Sequence, residues 1–180
     1  MVNPQTYAAL KQRVYTMRNG VVADSLRAGG CPYRLVFGLN LPQLTDIAAD
    51  YGPSRELSDE LARHSDLREN ALLSILLFPA EGVTESDART LLDRVRWSED
   101  ADLVCFRVLR HAPFAPALAS ELCAAPERLR RYTGLRLWLS QAAADPARAL
   151  ADARTELGRP DALTSLASMV AQEAEFHLGD

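Results

Sequence analysis

The chain has 180 residues, 48% of them hydrophobic, 24% charged and 7% aromatic, with 9 Gly and 10 Pro. This composition excludes disordered, collagenous and disulfide-framework proteins, and a chain of this length can bury on the order of 70% of the surface it exposes unfolded. Ala and Leu supply 28 residues each, while Val, Ile and Thr are sparse. Since Ala and Leu head the helix-propensity scale and strands need β-branched and aromatic residues, an all-α protein is expected. Twenty basic residues, of which only Lys11 is lysine, face 24 acidic ones, for a net charge of -4. That balance argues against a generally basic nucleic-acid binder, while leaving room for a local patch. Cys31, Cys105 and Cys123 are widely spaced without a CxxC, which fits reduced core residues rather than a framework or a zinc site. No run is long and apolar enough for a signal or a membrane span, so a soluble cytoplasmic protein is expected, with no cofactor or metal and no membrane partner.

Helix punctuation recurs along the chain. Pro4 opens a segment through Met17, closed by Asn19-Gly20 as a left-handed cap, and a short helix over 21–27 stops at Gly29-Gly30. The run Cys31 to Gly38 reads as an ordered loop. Asn40 as N-cap, with Pro42 in the first turn, starts a helix ending near Tyr51-Gly52. Ser54 caps the next helix, and Ser65 or Asp66 the one through Leu77, which Phe78-Pro79 stops. That segment is apolar nearly all round and should be a buried central helix. Thr84 and Asp87 form a capping box for a helix to about Arg96. Further helices fit 100–111, 114–123, 127–142, 146–157 and 160–176.

The middle of the chain repeats itself. Leu57 within Glu56 to Leu61, and the closing Phe78-Pro79, return as Leu91 within Thr90 to Val95 and as Ala112-Pro113, a shift of 34 residues in each case. A third unit starts at Ala117 to Leu122. Helix pairs at this period are the signature of an α-solenoid, which an ordinary antiparallel bundle can mimic. One domain over 1–180 is expected: N-terminal helices and a leading loop in 1–52, helix-pair repeats in 53–142, and capping helices in 143–180.

Phosphate loops, HExxH, GxSxG and paired Cys/His spacings are all missing. His64, His111 and His177 each sit beside a predicted helix end, where the helix dipole favours a cation. Two features carry more. Arg107 and Arg110 lie in one unit and Arg128, Arg130, Arg131 and Arg136 in the next. Arg128, Arg131, Leu135 and Trp138 fall at i, i+3, i+7 and i+10, so a guanidinium stripe ending in an indole could hold phosphates and stack on a base. The plainer alternative puts Trp138 in the core and pairs the arginines with acids such as Glu121 and Glu127. The second feature is the acidic start Trp97 to Asp102, which suits a helix N-terminus. Within it Asp102 shares a face with Cys105, Phe106 and Leu109, where a desolvated carboxylate could stabilise a cationic transition state.

The run Phe37-Gly38-Leu39-Asn40-Leu41-Pro42-Gln43-Leu44-Thr45-Asp46-Ile47-Ala48, with a helix before it and helix pairs after it, resembles the AlkD-like DNA alkylation repair family. The resemblance spreads from about Tyr7 to Leu139. It implies a short right-handed solenoid of HEAT-like antiparallel helix pairs whose second helices line a concave, DNA-facing surface. Characterised members excise cationic N3- and N7-alkylpurines without flipping the base, using one Asp, flanking Trp residues and phosphate-binding Arg. The family's Trp-Asp-x-Val-Asp segment stands here as Ala101-Asp102-Leu103-Val104-Cys105, with Cys105 in the place of the final Asp and Trp97 and Asp102 serving only in a shifted register. Arg130-Arg131 matches the Arg pair that opens a later concave helix. The resemblance thus implies binding of double-stranded DNA through Arg107, Arg110, Arg128, Arg130, Arg131, Trp97 and Trp138, with Asp102 the one catalytic candidate and little or no base release. The competing expectation is a catalytically silent helical-repeat scaffold for a protein or peptide partner.

Overall fold

The computed structural model describes residues 2–179, and among them the regular structure is entirely helical apart from one isolated bridge. The chain divides into two compact units, one ending at Gly82 and the other beginning at Val83. No helix among the described residues is long and apolar enough to cross a membrane.

The first unit holds α1 (Pro4–Thr16), α2 (Gly20–Ala28), α3 (Leu41–Tyr51), α4 (Arg55–Arg63) and α5 (Arg68–Leu76). Asparagines start three of them. The side chains of Asn3, Asn19 and Asn40 accept from the backbone N–H of Gln5, Val22 and Gln43, satisfying donors that the first helical turn leaves free. Gln43 returns a bond to the Asn40 N–H, completing a capping box. Asn19 therefore opens α2, with extended backbone at φ -131°, and does not close α1 in a left-handed turn; α1 ends at Thr16, with Met17 at its C-cap. Ser54 caps α4 as expected. The predicted cap of α5 by Ser65 or Asp66 is corrected: Leu67 occupies that position because its neighbours pair with the loop, Leu35 N–H donating to Asp66 O and Arg68 N–H to Leu35 O.

All nine residues of α5 are buried, so it is the central helix its sequence predicts. It packs on α3 and α4, and α3 packs on α1. Burying Arg68 and Glu69 at its start is possible because their charges are matched locally. The Glu69 carboxylate accepts from the backbone N–H of Phe37, Gly38 and Leu39, and Arg68 Nη1 donates to Leu39 O and Glu69 Oε1. This clasp fixes the 37–39 turn against the central helix. Gly38 is required there twice over: its φ is +83°, and a Cβ would lie 2.2 Å from Asn19 O and 2.6 Å from Ala23 N.

The second unit holds α6 (Glu85–Leu92), α7 (Ser98–Arg107), a single 3-10 turn at Leu109–His111, α8 (Ala115–Cys123), α9 (Arg128–Trp138), α10 (Pro146–Leu157) and α11 (Thr164–Gly179). The Thr84–Asp87 capping box forms, but α6 stops at Leu92, short of the predicted Arg96. The reason is the next cap: Asp100 accepts from the N–H groups of Arg96 and Trp97 and draws that stretch into the start of α7. Here α8 packs on α9 and α10 on α11, while α7 packs on α9, α9 on α11 and α8 on α10. Helices α8 and α9 approach so closely that a Cβ on Gly134 would stand 2.7 Å from Ala119 O and from Cys123 N. Small residues such as Ala149, Ala153, Ala167 and Ala174 fill the α10–α11 interior.

Candidate functional site

Within the second unit, the predicted site residues fall into three environments. The first is the shared outer face of α7 and α9. Asp102, whose side chain is 39% exposed, accepts a hydrogen bond from Tyr132 Oη at 2.9 Å and pairs with Arg136 Nε at 2.6 Å. Burial first, and then the bond to Asp102, push the Tyr132 phenol up to about 12. One turn along α7, Phe106 stands 64% exposed, with the Arg110 guanidinium over its ring at 4.2 Å from the centroid. Arg110 Nε also donates to His111 Nε2 at 2.9 Å. Arg107 lies exposed at the end of α7, and Trp97 is half-buried at its start. This face therefore carries Arg110 and Arg136 with Phe106 and Tyr132, and the Asp102 carboxylate, which already has a cation beside it.

The second environment is internal. Arg131 is 2% exposed and is held by Glu156 Oε2 at 2.9 Å, Pro126 O at 2.6 Å and Asp161 Oδ2 at 2.6 Å. Its hydrogen bond to Asp161 raises the guanidinium above its ordinary range and lowers the Asp161 carboxyl below its own. Glu156, itself buried, also accepts from Leu163 N–H and has Arg159 at 3.3 Å. Trp138 is fully buried, and its indole N–H donates to Asp152 at 2.9 Å. The predicted surface stripe is thus corrected: Arg131 and Trp138 tie α9 to α10 and the turn that follows it, and they do not share a surface with Asp102. The cause is that α9 has neighbours on several sides, so one helical stripe faces a neighbouring helix and not solvent.

The third environment is the exposed start of α9. Arg128 Nε donates to Asp161 O at 3.4 Å, and Arg130 stands 3.6 Å from Asp93. Glu121, expected to pair with the arginines of α9, pairs with Arg89 of α6 at 2.9 Å, and the hydrogen bond from Arg89 lowers its carboxyl below the ordinary range.

Cys105 is 3% exposed and donates to Thr133 O at 3.4 Å. Burial, with Asp102 nearby, raises its thiol well above the ordinary range, so it remains protonated and supplies no negative charge. Cys123 is likewise pushed up, to about 12, by burial. Sequence reasoning missed Tyr132 as the partner of Asp102. A signal was present, since Tyr132 and Arg136 are spaced i, i+4 on the helix that packs against α7. Among the described residues no group of three or more His, Cys, Asp and Glu is arranged to hold a metal. Compared with known protein families, curated proteins and solved structures, the chain matches none of them.

Proposed function

We propose that this chain is an AlkD-like helical-repeat protein that binds duplex DNA along the α7–α9 face without excising bases. The observation that carries the reading is the grouping of Arg110 and Arg136 with the aromatic rings of Phe106 and Tyr132 on one paired-helix surface, with Arg107 exposed next to Phe106 at the end of α7. Two packing features support a HEAT-like solenoid arrangement within the second unit. Alternate helices touch, α7 with α9 and α9 with α11 on one side and α8 with α10 on the other, and consecutive pairs α8–α9 and α10–α11 are the tightest neighbours. In such a stack α7 and α9 are second helices, the position the family gives its DNA-facing surface. The thiols of Cys31, Cys105 and Cys123, all free, fit a reducing cytoplasm.

Two observations speak for binding without excision. The Asp102 charge is engaged by Arg136 and Tyr132, leaving it poorly placed to stabilise a departing cationic purine. The position that would carry the family's carboxylate holds a protonated thiol. Salt dependence tests the reading. Each neutralised phosphate contributes a slope of about -0.9, so two guanidinium contacts, from Arg107 and Arg110, should lose roughly 12-fold in affinity between about 50 and 200 mM salt. An Arg107→Glu/Arg110→Glu variant should lose most of the binding and flatten the slope, with helicity intact. Affinity indifferent to both salt and this variant would overturn the proposal. The burial of Arg131 and Trp138 favours the second reading, a catalytically silent scaffold for a protein or peptide, and that reading gains if duplex binding fails.

A further inference from the structure

The three histidines stand in two kinds of surroundings. His64 and His177 each have a glutamate one turn earlier, Glu60 at 3.4 Å and Glu173 at 3.3 Å. His111 has Arg107 at that spacing, and its imidazole meets a second cation: Arg110 Nε donates to His111 Nε2 at 2.9 Å. A ring nitrogen that accepts a hydrogen bond carries no proton, so this bond exists only with a neutral imidazole protonated on Nδ1. Arg110 itself is held in place. Its backbone carbonyl accepts from Gln141 Nε2 at 2.6 Å, Leu109 before it is fully buried, and its guanidinium lies 4.2 Å from the Phe106 ring centroid. The His111 side chain is exposed, so protons reach it freely.

We propose that proton uptake by His111 regulates the α7–α9 face, strengthening its hold on a phosphate backbone as the pH falls. The inference rests on the DNA reading of that face. Protonation turns Nε2 from an acceptor into a donor, which breaks the bond from Arg110 and sets two like charges side by side. The freed Arg110 Nε–H and the new imidazolium N–H then both donate to a phosphate, whose negative charge removes the repulsion between them. The complex therefore holds more protons than the free protein, and linkage makes affinity rise as pH falls.

The charged groups around the turn favour this role. Helices α7 and α8 pack against it. On α7, Arg107 is exposed at the near end, Asp102 pairs with Arg136, and Asp100 caps the N–H groups of Arg96 and Trp97 at the far end, beside Glu99. The single charge of α8, Glu121, pairs with Arg89. None of these carboxylates is paired with His111, so a new positive charge there adds to those of Arg107 and Arg110 and is not cancelled as it would be at His64 or His177.

The test is fluorescence anisotropy with the full chain and a labelled DNA duplex at about pH 8 and about pH 5.5, a range across which histidine changes charge. Binding should tighten at least roughly threefold at the lower pH, and its salt slope should steepen by about 0.9, the share of one further phosphate contact. His111→Gln should lose both changes, whereas His177→Gln should keep them. The free protein supplies a readout that needs no DNA. In long-range proton–nitrogen spectra of nitrogen-15-labelled protein at about pH 8, His111 should carry its proton on Nδ1 and leave Nε2 bare. A proton on Nε2, an affinity independent of pH, or a gain that persists in His111→Gln would overturn the inference while leaving the DNA reading standing. Failure to bind duplex at either pH would overturn both.

Discussion

Replacing Arg131 separates its structural role from a DNA-binding one. In Arg131→Ala the guanidinium leaves three acceptors. Asp161 is exposed and rehydrates, and the Pro126 carbonyl lies at the margin of the site. Glu156 is the costly one. It stays 1% exposed, keeping only the Leu163 N–H and Arg159 at 3.3 Å. Removing one partner of a buried ion pair costs about 3–5 kcal/mol, and the two remaining contacts place this case near the lower end, about 3 kcal/mol. For a domain of this size that corresponds to a fall in Tm of roughly 6–12 °C. Urea unfolding followed by far-ultraviolet circular dichroism reads it as a lower midpoint at constant slope. Arg131→Met/Glu156→Leu removes both charges together and should recover most of the loss, since an apolar pair of similar volume needs no desolvation. With stability restored, its duplex affinity should stay within about twofold of the parent, a difference of only ~0.4 kcal/mol. A stable double variant that no longer bound DNA would place Arg131 on the DNA after all, and a neutral Arg131→Ala would refute the reasoning about Glu156.

Two other substitutions probe the packing and the electrostatics. Gly134→Ala drives a methyl to within 2.7 Å of the α8 backbone, and because backbone atoms cannot swing aside, α8 and α9 must separate; overpacking of this kind costs about 1–3 kcal/mol, checked by the same urea titration. Tyr132 should release its proton only near pH 12, read as the phenolate absorbance that folded protein loses in Tyr132→Phe. Because its folded-state value is raised, the stability linked to it is complete below its ordinary value of 10 and is lost as pH climbs from there toward 12. Asp102→Asn should lower the value only partway, since burial is the larger cause. A Tyr132 transition near its ordinary value of 10 would contradict the burial of its phenol and its bond to Asp102.

The helices were legible where their signals are local. Asn40 with Pro42, Ser54, and Thr84 with Asp87 are local signals, and each begins a helix where the sequence predicts one. The buried character of α5 was equally plain from its apolar stretch from Ala71 onward, which Ser74 alone interrupts, whereas the burial of Arg68 and Glu69 was not. What failed depends on long-range partners. Ser65 and Asp66 are good caps by residue type, but a bridge to Leu35, some thirty residues away, decides where α5 begins. Asn19 followed by Gly20 is a good left-handed terminator, yet the Asn19 N–H donates to Phe37 O, which turns it toward the next helix.

The arginines show why the candidate site was harder to read than the fold. A period of 3.6 assigns residues to a face of one helix, but it does not say whether that face meets water or another helix. In a single amphipathic helix the two questions have one answer, because polar residues mark the solvent side. In α9 they do not. Arg131 is polar and lies inside because Glu156 and Asp161, 25 and 30 residues further on, arrive to neutralise it, whereas Arg128 and Arg130 beside it remain exposed. Each carboxylate is unremarkable in its own helix or loop. Charge matching between elements therefore decides which guanidinium groups are free for a ligand. Beside α7, Arg136 is taken by Asp102, whereas Arg107 is exposed and Arg110 lies over the Phe106 ring. A double-mutant cycle on Arg131 and Glu156 should consequently show strong coupling, while one on Arg131 and Arg107 should show additivity, the pattern expected when one arginine belongs to the interior and the other to the surface.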